Sequence, residues 1–465
     1  MRRNVSSGRL LAGFLLSALL IPPASGQMAE IPDSGLLLKV SVVDSRNRPI
    51  RGADISIESD VVGQTDESGM FYLPRKPMDA GQYNLSAGRA GYKTRKQIVS
   101  VPSDPGLLPV QVRFQLDEFI PKPPASVGQP APNYRVYELF YATDRRNTRS
   151  PDPEKYYAGE PAQDGRLELG VCNISVPATH QRGVLESPSY LRLEFQYDPD
   201  KHIMMRLPQP LGADKFFDKL STRVDQSQRK EAFVFIHGYN TTFSGAARKA
   251  VQLAADLNFD GVPILYSWPS QGMFRGYFND EKNVAWSVPH LEAFLEQVAQ
   301  RSHATRVHLI AHSMGNRAMT WALQQIAARP PGTGPRFQQI VLAAPDIRVN
   351  QIQQLEKAML PLAQRVTVYA SRNDDALILA RILDGVARAG ERIRDVMVPG
   401  IDAVDASAVR TDFVGHGYFA ASASVIADLK QLLLDDASPQ SRRLVPAELS
   451  DLMYWVIPAA AAAAK

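Results

Sequence analysis

The stretch Val307-His308-Leu309-Ile310-Ala311-His312-Ser313-Met314-Gly315-Asn316-Arg317 decides the fold. An apolar, β-prone run stops at a serine set among small residues, and a helical run follows at once. Strand, tight turn and helix in succession make a nucleophile elbow, which holds a serine hydroxyl clear of the backbone at the N-terminal end of a helix, within reach of a base. Gly315 supplies the second glycine of the G-x-S-x-G pattern, and Ala311 stands where the first would be, a difference of one methyl group. Ser313 is therefore the expected nucleophile.

Reading outward, Phe233-Val234-Phe235-Ile236 runs into His237-Gly238-Tyr239-Asn240, a strand that ends in a His-Gly step. Such a step builds the second half of an oxyanion hole, so the backbone N–H groups of Tyr239 and Met314 are expected to converge on a developing oxyanion. Losing one such donor costs about 2.7–4 kcal/mol in the transition state. The His237 side chain is expected to be structural, bonding its own loop. In this chain order the acid follows the serine and the histidine comes last. His416, in Phe413-Val414-Gly415-His416-Gly417, is the only histidine after Ser313 and is the expected base. Four aspartates end strand-like runs: Asp346, Asp374, Asp375 and Asp402. The loop after the second strand beyond the elbow favours Asp374, with Asp375 and Asp346 as alternatives.

Around the elbow, Ala232–Ile236, Val262–Trp268, Val307–Ala311, Gln339–Ala344 and Arg365–Ser371 read as buried strands with amphipathic stretches between them. Strands covered on both faces by crossover helices give a mostly parallel sheet. This α/β domain is expected over residues 134–437, with a polar, Ala-rich tail at 438–465 that is given no structure beyond a short helix. Residues 36–117 alternate apolar and polar positions in short runs separated by turn signals such as Asp66-Glu67-Ser68-Gly69, which reads as an all-β sandwich. Repeated proline makes residues 118–133 an extended linker. Residues 1–26, with Arg2-Arg3, an apolar stretch from Leu10 to Ile21 and a small-residue exit, read as a secretory signal peptide, so a periplasmic or secreted location is expected.

Composition narrows the chemistry. A net charge of +4 from 52 basic and 48 acidic residues, with no long basic run, argues against a nucleic-acid partner. Cys172 is the single cysteine, which excludes an internal disulfide and a cysteine-based metal centre, and it reads as a small buried apolar residue. The eight histidines are scattered and form no zinc-protease pattern, so no metal and no cofactor is expected. Trp268, Phe274 and Tyr277, clustered with Met273 and Phe278, are candidates for lining an acyl pocket or forming a lid, with core packing as the alternative reading. His312 is expected to point away from the serine, and Asp280-Glu281 to be a solvated or loop-capping pair.

The strings Phe235-Ile236-His237-Gly238-Tyr239-Asn240, Tyr266-Ser267-Trp268-Pro269-Ser270, Leu309 to Arg317, Ala343-Ala344-Pro345-Asp346 and Val414-Gly415-His416, with the opening segment Tyr141-Ala142-Thr143-Asp144-Arg145, together resemble a bacterial alpha/beta hydrolase family of unknown function in the esterase/lipase superfamily. The resemblance spans Val136 to Asp436. It implies a Ser-His-Asp triad, and its Ser-x-x-Asp-x-Ala-Leu pattern, matched by Ser371, Asp374, Ala376 and Leu377, implies Asp374 as the acid. The N-terminal unit resembles the carboxypeptidase regulatory-like family of transthyretin-type sandwiches, on its glycine and turn positions from Val40 to Tyr92. The expected activity is hydrolysis of a small-molecule or lipid carboxylic ester through an acyl-enzyme, with thioester or peptide bonds as alternatives. An inactive adhesion or envelope-binding protein is the reading from a different class, and envelope or carbohydrate contact is the role left to the sandwich.

Overall fold

The computed structural model describes residues 36–57, 60–74, 81–89, 92–101, 109–117, 133–188, 194, 196–272, 277–330, 334, 336–374, 377–378, 381, 386–409 and 418–458. The expected signal peptide, nearly all of the proline linker, and the site candidates Phe274, Asp375 and His416 lie outside the described residues.

The N-terminal region is built of strands. β1 (Leu36–Asp44), β2 (Asp54–Ile57), β3 (Asp60–Gln64), β4 (Met70–Pro74), β5 (Gly81–Gly88), β6 (Arg95–Val101) and β7 (Val110–Leu116) form two sheets, ordered β4-β1-β7 and β3-β2-β5-β6. Alternation does the sorting: in β7, Val112, Phe114 and Leu116 face inward while Gln111, Arg113 and Gln115 are exposed. Their apolar faces share one core that includes Val40, Ile55, Phe71, Leu85 and Phe114. The turn signal at 66–69 folds because Asp66 Oδ1 accepts from the backbone N–H groups of Ser68 and Met70, both at 2.9 Å, and Gly69 takes φ +72°.

The C-terminal region centres on a 12-stranded sheet. β8 (Tyr134–Thr143) leads through the short pair β9 (Arg145–Asn147) and β10 (Tyr157–Pro161) into β11 (Glu168–Pro177), β12 (Met204–Met205) and β13 (Gln209–Leu211). The alternating part then runs α1 (Ala213–Asp225), β14 (Glu231–Ile236), α2 (Phe243–Leu257), β15 (Val262–Ser267), α3 (Tyr277–Trp286), α4 (Val288–Arg301), β16 (Arg306–His312), α5 (Gly315–Ala327), β17 (Phe337–Ala343), α6 (Val349–Met359), β18 (Ala363–Ala370) and β19 (Ile401–Asp405). A helix at Ala423–Asp435 and the hairpin β20 (Val445–Leu449) and β21 (Leu452–Val456) close the chain.

The strand order is β12-β11-β8-β15-β14-β16-β17-β18-β19-β21-β20, with β13 also on β11. From β8 to β21 every neighbouring pair is parallel, while β11, its two short partners and the terminal hairpin are antiparallel. Each central strand is apolar on both sides because both sides are covered. Val234, Ile236, Leu309 and Leu342 meet Phe216, Leu291, Leu323 and Ile352 of α1, α4, α5 and α6. Phe233, Phe235, Ile310 and Val341 meet Ala250 and Leu253 of α2 and Leu429 and Leu432 of the closing helix. The chain steps from β14 to β15 in one direction and then returns across β14 to β16. The carboxyl ends of β14 and β16 therefore flank the topological switch, where open α/β sheets bind their ligands.

The tail departs from expectation. Residues 445–456 form a hairpin, and Val404 and Asp405 of β19 pair with Trp455 and Val456, so the tail extends the sheet. Trp455 anchors that strand, buried against the second core layer, while Leu452 and Met453 remain exposed.

Candidate active site

The elbow forms as its sequence demands. β16 ends at His312, Ser313 takes φ +53°, and α5 begins at Gly315. A left-handed backbone costs a non-glycine residue about 1–2 kcal/mol, so the turn needs support. Ser313 N–H donates to Ala343 O at 2.9 Å, and Asn316 Nδ2 donates to both Ser313 O (2.9 Å) and Ala343 O (3.0 Å). Asp346 N–H reaches Ser313 O at 3.3 Å. Met314 caps α5, and its N–H has no acceptor among the described residues.

The loop after β14 presses directly on this turn. A Cβ on Gly238 would lie 2.8 Å from Ser313 Cβ and 3.0 Å from His312 Nδ1. A Cβ on Gly315 would lie 2.3 Å from His237 O and 2.7 Å from Ile236 O. Both glycines are thus required by close approach, one in each half of the expected oxyanion hole. Tyr239, the next residue, carries the second expected donor, and its ring meets that of Tyr277 edge-on at 5.4 Å.

His237 lies behind that loop. It is buried, stacks on Trp268 at 5.0 Å, and its Nδ1 is 2.8 Å from Gly238 O. Burial, and then the nearby Arg145 guanidinium, push its pKa well below the ordinary 6.5, so it is a neutral structural residue as expected. His312 points to the other side, its ring stacked on Phe419 at 6.5 Å.

Two of the pocket candidates, Trp268 and Tyr277, are tied into the surrounding loops, consistent with their core-packing alternative. Trp268 is fully buried and donates its indole N–H to His237 O at 2.7 Å. Tyr277 is 5% exposed, and its hydroxyl donates to Asp346 Oδ2 (3.0 Å) while accepting from Arg317 Nη2 (2.8 Å) and Arg388 Nη2 (3.1 Å). Their polar atoms thus tie both rings into the loops around the elbow. Asp280 is no solvated residue either. It is buried and accepts from Ser270 Oγ at 2.6 Å and from the backbone N–H of Gln271 at 2.8 Å, the loop-capping alternative. Burial lifts its carboxyl to about 6, against those hydrogen bonds. Its neighbour Glu281 pairs with Arg317 at 2.6 Å.

The aspartates separate by their partners. Asp346 is engaged by Arg317 Nη2 (3.0 Å), by Arg388 Nε (2.8 Å) and by Tyr277. Asp374 is fully buried in the turn after β18, with Oδ1 accepting from Leu377 N–H at 3.1 Å, while Asp402 pairs with Arg365 at 3.0 Å. Ser313 and Asp374 thus stand at the carboxyl ends of strands two places apart in one sheet. Cys172 is a buried free thiol whose pKa burial pushes up. Among the described residues no cluster of three or more His, Cys, Asp or Glu side chains could hold a metal ion.

This arrangement of sheet, elbow and facing glycine loop has a counterpart among family models. Residues 213–435 match the family described as "Alpha/beta hydrolase of unknown function (DUF900)". The matched residues run from α1 to the end of the closing helix, so they include both glycine contacts and Ser313. The architecture is accordingly a strand-rich N-terminal region followed by an alpha/beta hydrolase domain with a mostly parallel sheet. A search of curated proteins finds no match. Among solved structures, "The Bacillus anthracis TIE protein" is similar at 13% identity and a TM-score of 0.16. That likeness covers 31% of this chain and 26% of that one, and it carries no argument about fold or activity.

Sequence reasoning gave no role to Asn316, which props the elbow, or to Arg145, whose buried guanidinium reaches His237, Thr241, Ser267 and Ser270. Arg145 was visible only as the last residue of a motif. Its partners are remote in sequence, and no local pattern announces them.

Proposed function

We propose that the chain is an exported serine hydrolase that cleaves carboxylic esters through an acyl-enzyme on Ser313, with His416 as base and Asp374 as the residue that orients it. The observation that carries this reading is the contact of Gly238 with Ser313, which sets a strained serine against the loop bearing Tyr239. A serine held in a left-handed conformation against a glycine loop at the switch point of the sheet supports a reaction at its hydroxyl.

In the proposed reaction Ser313 Oγ attacks the ester carbonyl carbon while His416 takes the hydroxyl proton. The carbonyl oxygen becomes an oxyanion that accepts from the N–H groups of Tyr239 and Met314. Collapse breaks the bond to the alcohol, which leaves with the proton from His416, and water repeats the sequence to free the acid. Asp374 would hold His416 in the productive tautomer. The partners of Asp346 favour Asp374 over it, since a carboxylate engaged by two buried arginines and a tyrosine has little left for a histidine.

The test is hydrolysis of p-nitrophenyl esters from acetate to palmitate by the chain without residues 1–26, beside Ser313→Ala and His416→Ala. Turnover lost in both variants, with fluorophosphonate labelling of Ser313 in the parent, is the expected result. Turnover that survives Ser313→Ala, or an unlabelled Ser313, would refute the proposal.

A further inference from the structure

Arg145 is the least expected group in the molecule. It is buried at the start of β9, and all five of its N–H donors are used. Nε donates to Ser267 Oγ (2.9 Å), Nη1 to Ser270 O (2.8 Å) and Ala158 O (3.2 Å), and Nη2 to Thr241 O (2.7 Å) and His237 Nε2 (3.2 Å). None of the five acceptors is a carboxylate. Asp280, Asp144 and Glu160 offset its charge only at longer range. Burying a cation without a contacting counter-ion is costly, so simple ion pairing does not account for its place. What its bonds do is join the loops after β14 and β15 to β10.

We infer that Arg145 is a positioning residue for the oxyanion hole: it fixes the tautomer of His237, and through it the direction of the Gly238–Tyr239 peptide. The inference rests on the serine hydrolase reading above. A guanidinium always donates, so the ring nitrogen it faces must accept. Ser267 Oγ, 3.2 Å from the same Nε2, already accepts from Arg145 Nε, which turns its own proton toward His237. Trp268 O is also 3.2 Å from Nε2, but it is served by Ser270 N–H at 2.8 Å and does not require a donor there. The ring proton therefore sits on Nδ1 and is donated to Gly238 O. In a planar trans peptide C=O and N–H point in opposite directions. Anchoring Gly238 O on the His237 side turns the Tyr239 N–H to the other side of a loop whose Gly238 abuts Ser313. Nη2 holds the same loop once more, at Thr241 O.

The experiment compares Arg145→Met, which keeps length but no donor, with the parent on a p-nitrophenyl ester and on an alkyl boronic acid that mimics the tetrahedral intermediate. The expected result is a fall in kcat of about 10²-fold with KM nearly unchanged and a matching loss of boronate affinity, as for removal of an oxyanion donor. Methylguanidinium should restore part of the rate. Nitrogen-15 NMR of the parent should show His237 neutral with its proton on Nδ1, and that single tautomer should be lost in Arg145→Met.

If Arg145→Met does not fold, His237→Phe, which keeps the stacked ring but no donor, should reproduce the loss, and His237→Asn, which keeps a donor near Nδ1, should recover much of it. A folded Arg145→Met with the parent's kcat, a rate loss without loss of boronate affinity, or a parent His237 protonated on Nε2 overturns the inference alone. A parent inactive on every ester overturns the hydrolase reading, and the positioning role falls with it.

Discussion

Replacing Gly238 by alanine tests the central contact of the site. The added Cβ would stand 2.8 Å from Ser313 Cβ, 3.0 Å from His312 Nδ1 and 3.1 Å from His312 O. Carbon atoms settle at about 3.5–4.0 Å, so the glycine loop and the elbow must part by about 0.7–1.2 Å. A displacement of that size at a reacting centre costs about 10²-fold in rate, and overpacking of this kind costs about 1–3 kcal/mol of stability. The expected outcome for Gly238→Ala is a folded protein, somewhat less resistant to urea, with kcat on p-nitrophenyl butyrate down about 10²-fold and KM little changed.

Gly315→Ala should be worse. Its Cβ meets two backbone oxygens, His237 O at 2.3 Å and Ile236 O at 2.7 Å, and no side chain can turn aside to relieve the clash. Gly212, with nothing within 4 Å of an added Cβ, supplies the silent control. Gly238→Ala with kcat/KM within about threefold of the parent would refute the reasoning, because a loop that tolerates such a separation cannot be delivering an oxyanion donor.

Other outcomes follow from groups around the site. His180 contacts Glu186 at 2.8 Å and Asp256 at 3.1 Å; burial lowers its pKa, but the bonds to Asp256 and Glu186 outweigh that and lift it to about 9. Between the unfolded value near 6.5 and about 9 the native state holds the extra proton, so stability should fall by about 3 kcal/mol as pH rises through that window, a slope that His180→Asn should remove in urea titrations. Asp346→Asn leaves Arg317 and Arg388 buried without their shared anion and should cost about 3–5 kcal/mol in the same titrations; a loss below about 1 kcal/mol would show that the pair finds other partners. Buried Cys172 should resist a thiol reagent in the native protein and react once unfolded, and rapid native labelling would contradict its burial.

The sequence was most informative where one short stretch determines structure by itself. The run Ala232–Ile236 became β14 at Glu231–Ile236, and Val307–Ala311 became β16 at Arg306–His312. A strand covered on both faces is a continuous apolar run, and that signal is local. The elbow was equally legible, since turn and helix follow the strand without interruption. The terminal hairpin was not, because β20 is exposed along most of its length and shows no apolar alternation. The sequence left Trp268 and Tyr277 open between pocket and core for a related reason. Aromatic residues near a site read alike whether they line it or brace it, and their polar tips decide the matter only once His237 O, Asp346 and Arg388 are seen beside them.

Arg145 marks the limit most clearly, and it bears on how the site is held. Its bonds to Ser267 and Ser270 join residues 122 and 125 positions apart, and the one to Thr241 joins residues 96 apart. The strained serine is braced within the elbow by Asn316, through bonds spanning 3 and 27 positions. The proposed nucleophile and the proposed oxyanion loop are therefore braced by different hydrogen-bonding residues, although the two segments abut where Gly238 touches Ser313 and where Gly315 touches His237. That division predicts a separation of effects. Variants of Asn316 should lower stability and the reactivity of Ser313 toward fluorophosphonate together, because the left-handed turn loses its support. Variants of Arg145 should leave the turn intact and act chiefly on the stabilisation of the oxyanion. If the two sets of variants gave the same pattern, elbow and oxyanion loop would have to be a single cooperative unit, and the separate bracing seen here would have no mechanistic meaning.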